Sequence, residues 1–278
     1  MRKRPRLFYV NALLVNALFW ILVLIILFPI FWLIMNSLKT NSELFSDSFG
    51  IPSQWLFTNY LDAWKTGFTY FFLNSFLVTG VSVLCTVLLA AFCAYALTRL
   101  EIKGKRFVLY LIIGGLLLSP ESALISLYKL LDQLGLYNTL FALILPYIAF
   151  RIPFAVFLMR GYFADFPREL EDAAFIDGCG TLRTFWSILM PVSKPVIAAT
   201  AIVTAISTWN EFIFALVFIE NEKLITLPVG VSRFRDALQT NWTGMLAGIV
   251  IASIPMVIAF LFGSKWFIRG LTAGGIKG

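Results

Sequence analysis

Long apolar runs separated by short charged segments constrain this chain more than any other feature. From Ala17 to Met35 no charged residue interrupts the sequence, which gives about 28 Å of helix, the thickness of a bilayer core. Similar runs recur along the chain and predict six membrane spans at about 12–36, 70–97, 107–130, 138–160, 196–218 and 245–267. Hydrophobic residues make up 60% of the 278 and charged residues 13%. That charge fraction is roughly half of what a soluble domain carries. Backbone groups in lipid must be satisfied within their own segment, so an uninterrupted apolar run reads as helix. The expected architecture is an all-α, polytopic membrane helix bundle, a single domain over 1–278. A signal peptide also opens on basic residues, but its apolar region is shorter, and no A-x-A-like cleavage site follows Met35.

The spans also orient the chain. With an even number of spans and the N-terminus inside, one side holds Arg2, Lys3, Arg4 and Arg6, then Arg99, Lys103, Lys105 and Arg106. The same side takes Arg160, Arg168, Arg183, Lys194, Lys265, Arg269 and Lys277. The other side holds only Lys39, Lys65, Lys129, Lys223, Arg233 and Arg235. The excess of basic residues marks the cytoplasmic side, so both termini are expected there, in a multi-pass cell-membrane protein.

Several chemistries are excluded by what is missing. The chain contains no His, which removes the usual general base and the commonest metal ligand. Cys85, Cys93 and Cys179 have no metal-site or disulfide-framework spacing. No G-x-x-x-x-G-K-[ST] phosphate loop is present. The positive net charge is explained by its membrane-side distribution and does not imply nucleic acid. No catalytic residue, metal site or cofactor is expected in this polypeptide.

Between the fourth and fifth expected spans lies a charged segment, 161–195, too polar to cross a bilayer. Pro167 suits the first position of a short helix. Glu169, Glu171 and Asp172 follow in its first turns, where carboxylates favour the positive end of the helix dipole. Leu170, Ala173, Ala174 and Asp177 are spaced to share one face. Gly178 can turn left-handed and stop the helix. Thr181 is expected to cap a second helix with an apolar stripe of Leu182, Phe185, Trp186 and Leu189, ended by Pro191.

Glu171-Asp172-Ala173-Ala174, Asp177-Gly178 and Ile188-Leu189-Met190-Pro191 together resemble the EAA loop of ABC importer permeases. Asp172 stands where that family usually has Glu, and Cys179 where it usually has a small residue. The ending of the second span, Ala94-Tyr95-Ala96-Leu97-Thr98-Arg99, and the tail from Gly270 to Gly278 resemble the smaller membrane subunit of maltose-type importers. The resemblance implies an ABC type I importer permease fold in which Glu171, Asp172, Ala173, Ala174, Asp177 and Gly178 couple the spans to a partner ATPase. It implies a second permease subunit, a cytoplasmic ATPase dimer that binds ATP and Mg, and an extracytoplasmic solute-binding protein. A carbohydrate is the implied solute.

The remaining signal is polar groups within apolar runs. Glu121, Arg151, Trp209, Asn210 and Glu211 are candidates for lining a translocation path, because a charge facing lipid costs several kcal/mol. The competing expectation is structural: Glu121 and Arg151 pair across neighbouring spans, and Asn210 or water satisfies Glu211. The stretch from about Leu224 to Thr240, with the apolar turn Leu227-Pro228-Val229-Gly230, is expected to lie outside and touch the solute-binding protein. Rival readings are a permease for a non-sugar solute and an ion-coupled secondary transporter. The latter would need inverted repeats, and none is visible.

Overall fold

The computed structural model describes residues 6–234 and 241–273, with side chains over 13–65, 67–234 and 241–265. Arg2, Lys3 and Arg4, the loop residues 235–240 and the tail residues 274–278 lie outside the described residues. All regular structure among the described residues is helical, with no strand. In order the helices are α1 (Arg6–Ser37), α2 (Asn41–Ser46), α3 (Thr58–Ala63), α4 (Thr69–Arg99), α5 (Lys105–Gly114), α6 (Leu124–Gln133) and α7 (Phe141–Ala164). They continue as α8 (Arg168–Ile176), α9 (Thr181–Thr184), α10 (Met190–Val192), α11 (Lys194–Trp209), α12 (Ile213–Phe218), α13 (Leu227–Ser232) and α14 (Trp242–Ala273).

Among the described residues four helices are long and apolar enough to cross a membrane: Leu13–Ser37, Thr69–Arg99, Phe141–Ala164 and Trp242–Lys265. Two bent pairs pass the same test, Lys105–Leu117 with Pro120–Gln133 at 91° and Thr181–Val192 with Lys194–Trp209 at 78°. The chain is therefore an all-α membrane protein with four to six candidate spans. Its contacts divide into two compact units, 1–66 with 231–251 and 67–230 with 252–278.

The first unit is organised by a polar loop after α1. The Lys39 side chain is fully buried, and its Nζ donates to the Asp47 carbonyl at 2.6 Å. Asn59 donates to the carbonyls of Ser37 and Lys39, each at 2.9 Å. The hydroxyls of Ser37 and Tyr60 meet at 2.6 Å. Thr40 caps α2 by accepting the Glu43 N–H, and Asn41 accepts the Thr243 N–H at the start of α14. Loop carbonyls removed from water thus find donors from nearby side chains.

In the second unit α4 packs most extensively against α7, and α11 lies against both. The sequence explains the closeness. Ala90, Ala91 and Ala94 on α4 and Ala155 on α7 are fully buried, and small side chains let helix backbones approach in lipid. Larger groups fill the end of the unit nearest α8: Met159, Phe163, Phe185 and Leu189 are also fully buried. Phe185 stacks on Phe92 at 4.7 Å and tilts against Tyr95 at 5.2 Å. At the opposite end Asn138 adopts φ 58°, and its Oδ1 accepts from the N–H groups of Glu220 and Asn221. Asn tolerates the left-handed region better than most residues.

One side chain joins three elements of this unit. Arg99 closes α4, and its Nη2 donates to the carbonyls of Phe163 and Phe166 at 2.7 and 2.5 Å. Its Nε faces Glu171 Oε1 of α8 at 2.9 Å, with both side chains under a tenth exposed. The guanidinium also lies 5.8 Å from the Phe166 ring centre. The planar fork spreads its donors over two nitrogens, so one cation reaches two carbonyls through Nη2 and a carboxylate through Nε. Removing one partner of a buried pair leaves the other charge uncompensated, at a cost of about 3–5 kcal/mol. Arg99→Ala should therefore sharply lower the thermal midpoint of the detergent-purified protein, with Arg99→Lys falling between it and wild type. Equal midpoints for Arg99→Ala and wild type would show that the pair contributes nothing.

Candidate functional site

The charged segment after α7 forms the expected helix-turn-helix, with shifted details. Pro167 precedes α8 as its N-cap, with ψ 128°, and does not take the first helical position. Gly178 adopts φ +77° just past the helix, the left-handed turn its sequence position predicts, and a Cβ there would meet nothing within 4 Å. Gly180, not Thr181, caps the next segment. That segment runs through a wide turn over Phe185–Leu189 and continues past Pro191 to Val192. Pro191 lies in the first turn of α10, the short helix after the wide turn, where a missing N–H is tolerated, and the chain bends at Ser193.

The face of α8 also differs from expectation. Glu171 and Ala174 point inward, whereas Leu170, Asp172, Ala173 and Asp177 are exposed. Glu171 is turned into the protein towards Arg99. Burial pushes its carboxyl above the ordinary range, while Arg99 and then Arg168 draw it back down. Side-chain spacing alone could not separate the two neighbouring acids. Arg99, 72 positions away in the chain by numbering, decides which of them turns in.

What faces solvent on this segment is both charged and apolar. Ile176 is 86% and Leu182 68% exposed, beside the exposed Asp172, Asp177 and Arg183. Phe175 is half-exposed. Large apolar side chains ringed by charges on a polar segment mark a protein contact surface. Of the apolar stripe expected on the second helix, Phe185 and Leu189 are buried whereas Leu182 and Trp186 are exposed. The sequence reading gave Ile176 no role, and helical spacing alone does not separate Leu182 from Phe185 and Leu189.

The polar candidates within apolar runs separate into three kinds. Trp209 is buried, with its indole N–H donating to the Ala252 carbonyl at 3.0 Å and its ring edge-on to Phe72 at 5.8 Å. Asn210 is exposed and bonds back to the Ile206 carbonyl at 2.9 Å, ending α11. Glu211 takes its hydrogen bonds from protein donors other than Asn210. Its Oε1 accepts the Phe214 N–H at 2.8 Å, and its Oε2 accepts from the Ala215 N–H and the Tyr147 hydroxyl. It caps α12 across the break that divides the expected fifth span at 210–212.

Glu121 and Arg151 do not form the expected ion pair. The Ser119 hydroxyl donates to the exposed Glu121 carboxylate, and the buried Arg151 Nε has no hydrogen-bond partner among the described residues. The reason is local: the chain bends by 91° between Lys105–Leu117 and Pro120–Gln133, which gives Glu121 a nearer partner. The two side chains nevertheless line one cavity of about 60 Å³ together with Tyr147 and Glu211.

The apolar turn before residue 231 is an anchor. Ile225, Leu227 and Val229 are buried. Asn74 of α4 donates to the carbonyls of Lys223 and Ile225, at 2.8 and 3.0 Å, and Ser75 accepts the Leu227 N–H at 2.7 Å. A Cβ on Gly230 would lie 2.2 Å from the Phe71 ring, so only Gly permits this approach. Leu227 and Val229 are thus unavailable to a partner.

The sequence family with the matching profile is the binding-protein-dependent transport system inner membrane component, aligned over residues 6–273. The chain is 43% identical over 276 residues to the probable ABC transporter permease protein YurM of Bacillus subtilis (strain 168), covering 99% of this chain and 92% of that protein. It is 33% identical to the arabinooligosaccharides transport system permease protein AraQ of the same strain, over the full length of both. It is also 33% identical to the trehalose/maltose transport system permease protein MalG of Thermococcus litoralis, covering 93% and 94%. Among solved structures, a chain from a bacterial ABC transporter involved in the import of the acidic polysaccharide alginate shares its fold. The TM-score is 0.82 at 23% identity, over 96% of this chain and 100% of that one. With a profile match spanning nearly its whole length, this chain belongs to the family of inner membrane components of binding-protein-dependent transport systems.

Proposed function

We propose that this chain is one of two permease subunits of an ATP-driven importer for a sugar or oligosaccharide. The single observation that carries the coupling role is the solvent face of the α8–α9 segment. Exposed Ile176 and Leu182 stand there beside Asp172 and Asp177, a surface that needs a protein partner. A cytoplasmic ATPase dimer, holding ATP and Mg, is that partner. The basic residues favour the same side of the membrane for this segment and for both termini. Six spans follow if each long or broken apolar helix outside the 161–195 segment crosses once. Arabinooligosaccharides and trehalose/maltose, named for two relatives, support a carbohydrate as solute.

Coupling follows from the geometry in three steps. The partner ATPase grips the outward face at Asp172, Ala173, Asp177 and the exposed apolar groups. Gly178 holds the turn between the two short helices. Arg99 ties Glu171, on the inner face, to the ends of α4 and α7, so a displacement of α8 is passed to two long helices as a unit. A solute-binding protein delivers the sugar from the other side. Its contact falls to residues after the buried Leu227–Gly230 turn.

Purification of the tagged chain from its own membranes should bring along an ATPase, a second permease and a binding protein. Recovery of the chain with no ATPase would overturn the importer reading. Asp172→Lys reverses a charge on the docking face. It should lower uptake at least tenfold while the chain inserts normally, and wild-type uptake with normal ATPase content would remove Asp172 from the contact. At Gly178 a β-branched residue costs about 1–2 kcal/mol in the left-handed region, whereas Asn visits it readily. Transport by Gly178→Asn should therefore exceed that by Gly178→Val. The reverse order would mean that the turn geometry is irrelevant to coupling.

A further inference from the structure

Two breaks in the helices converge on Arg151. The chain is extended at Leu118 and Ser119, between the arms of the 91° bend. A second irregular stretch, 210–212, separates α11 from α12. Residues flanking both breaks line a pair of cavities in the same compact unit, one of about 330 Å³ and one of about 60 Å³, and the two share Pro120, Phe150 and Arg151. Non-helical backbone at membrane depth is tolerated where it is buried in protein or lines a water-filled space. Transporters build solute sites at such broken helices.

The hydrogen-bond inventory of these cavities is unbalanced. Glu211 is spent on Tyr147 and on the N–H groups that open α12. The Arg151 Nε is buried and has no hydrogen-bond partner. A guanidinium has five donors and no acceptor, and leaving them unmet at this depth is costly. Across the smaller cavity Glu121 offers the complementary acceptor. The larger cavity adds the hydroxyl-bearing Thr204 and Ser207 and the rings of Phe150 and Phe154. A ligand that accepts from Arg151 and donates to Glu121 carries adjacent hydroxyl groups. An anion would meet Glu121 and Glu211, both within electrostatic reach of Arg151; a cation would meet Arg151 itself.

We infer that Arg151, Glu121, Phe150, Phe154 and Ser207 form a solute subsite within this chain for a neutral carbohydrate segment presenting adjacent hydroxyls. This subsite rests on the carbohydrate-importer reading above. It makes this subunit a direct contributor to solute contact.

The test uses the complete complex in proteoliposomes with its binding protein, and raffinose, maltose, arabinotriose and a trimer of galacturonic acid as probes. If wild type takes up none of the four with ATP, the carbohydrate reading falls, and the subsite with it. For a transported neutral probe, Arg151→Leu and Glu121→Gln should each lower maximal uptake at least fivefold. Binding-protein-stimulated ATP hydrolysis should stay within twofold, because neither variant touches the coupling segment. A purely structural role would lower both together with the yield of complex, and that result overturns the subsite. In a chain with Cys85, Cys93 and Cys179 replaced by Ala, Ser207→Cys should react with a charged methanethiosulfonate, and the transported sugar should slow that reaction at least fivefold. Labelling that sugar does not slow, or no labelling in any state of the cycle, overturns it even where Arg151→Leu fails to assemble. Uptake of the galacturonic acid trimer in preference to every neutral probe overturns the ligand class.

Discussion

The guanidinium of Arg99 is the point on which the α8 end of the second unit depends. α4 and α7 meet through alanines and need little beyond shape to associate. α8 is a nine-residue helix with three acids and has no comparable apolar face. It is held because Glu171 and the last carbonyls of α7 share one cation. The pair is removed from solvent, with the Phe166 ring 5.8 Å from the guanidinium. Shielding of this kind strengthens the attraction and raises the cost of losing either member.

Much of the architecture was legible because lipid leaves few options. Charge-free runs of membrane length become helices, and a left-handed glycine after an acidic, alanine-bearing turn marks a helix end. Both rules act locally and need no tertiary information. What stayed hidden depended on partners distant in the chain. Glu171 and Asp172 look equivalent until Arg99 turns one of them inward. Pro191 reads as a stop signal, yet a proline within the first turn of a helical segment loses nothing. Leu227 and Val229 read as an exposed hydrophobic tip because the seat offered by Phe71, Asn74 and Ser75 lies more than a hundred residues earlier.

The polar residues inside the apolar runs show three ways of meeting the same constraint. Trp209 finds one carbonyl and becomes packing. Glu211 gathers three donors and becomes a cap at a helix break. The Nε of Arg151 finds no acceptor among the described residues, and two cavities open beside it. Composition gives all of them the same weight, since a sequence registers where a polar group occurs and not whether the fold satisfies it. Only the last kind leaves bonding capacity for a molecule that passes through.

The apolar surface of α1 has a consequence for how the protein is made. None of its apolar window is buried among the described residues. Its transfer from the translocon into lipid rests on its own partition free energy, and its long uncharged run supplies that unaided. The helices around Arg151 are in the opposite position. A mid-span arginine disfavours release of α7 into lipid as a lone segment. Those helices have reason to leave the insertion machinery together, after α4 and α11 are available to cover them, which makes biogenesis an ordered assembly anchored by one self-sufficient helix.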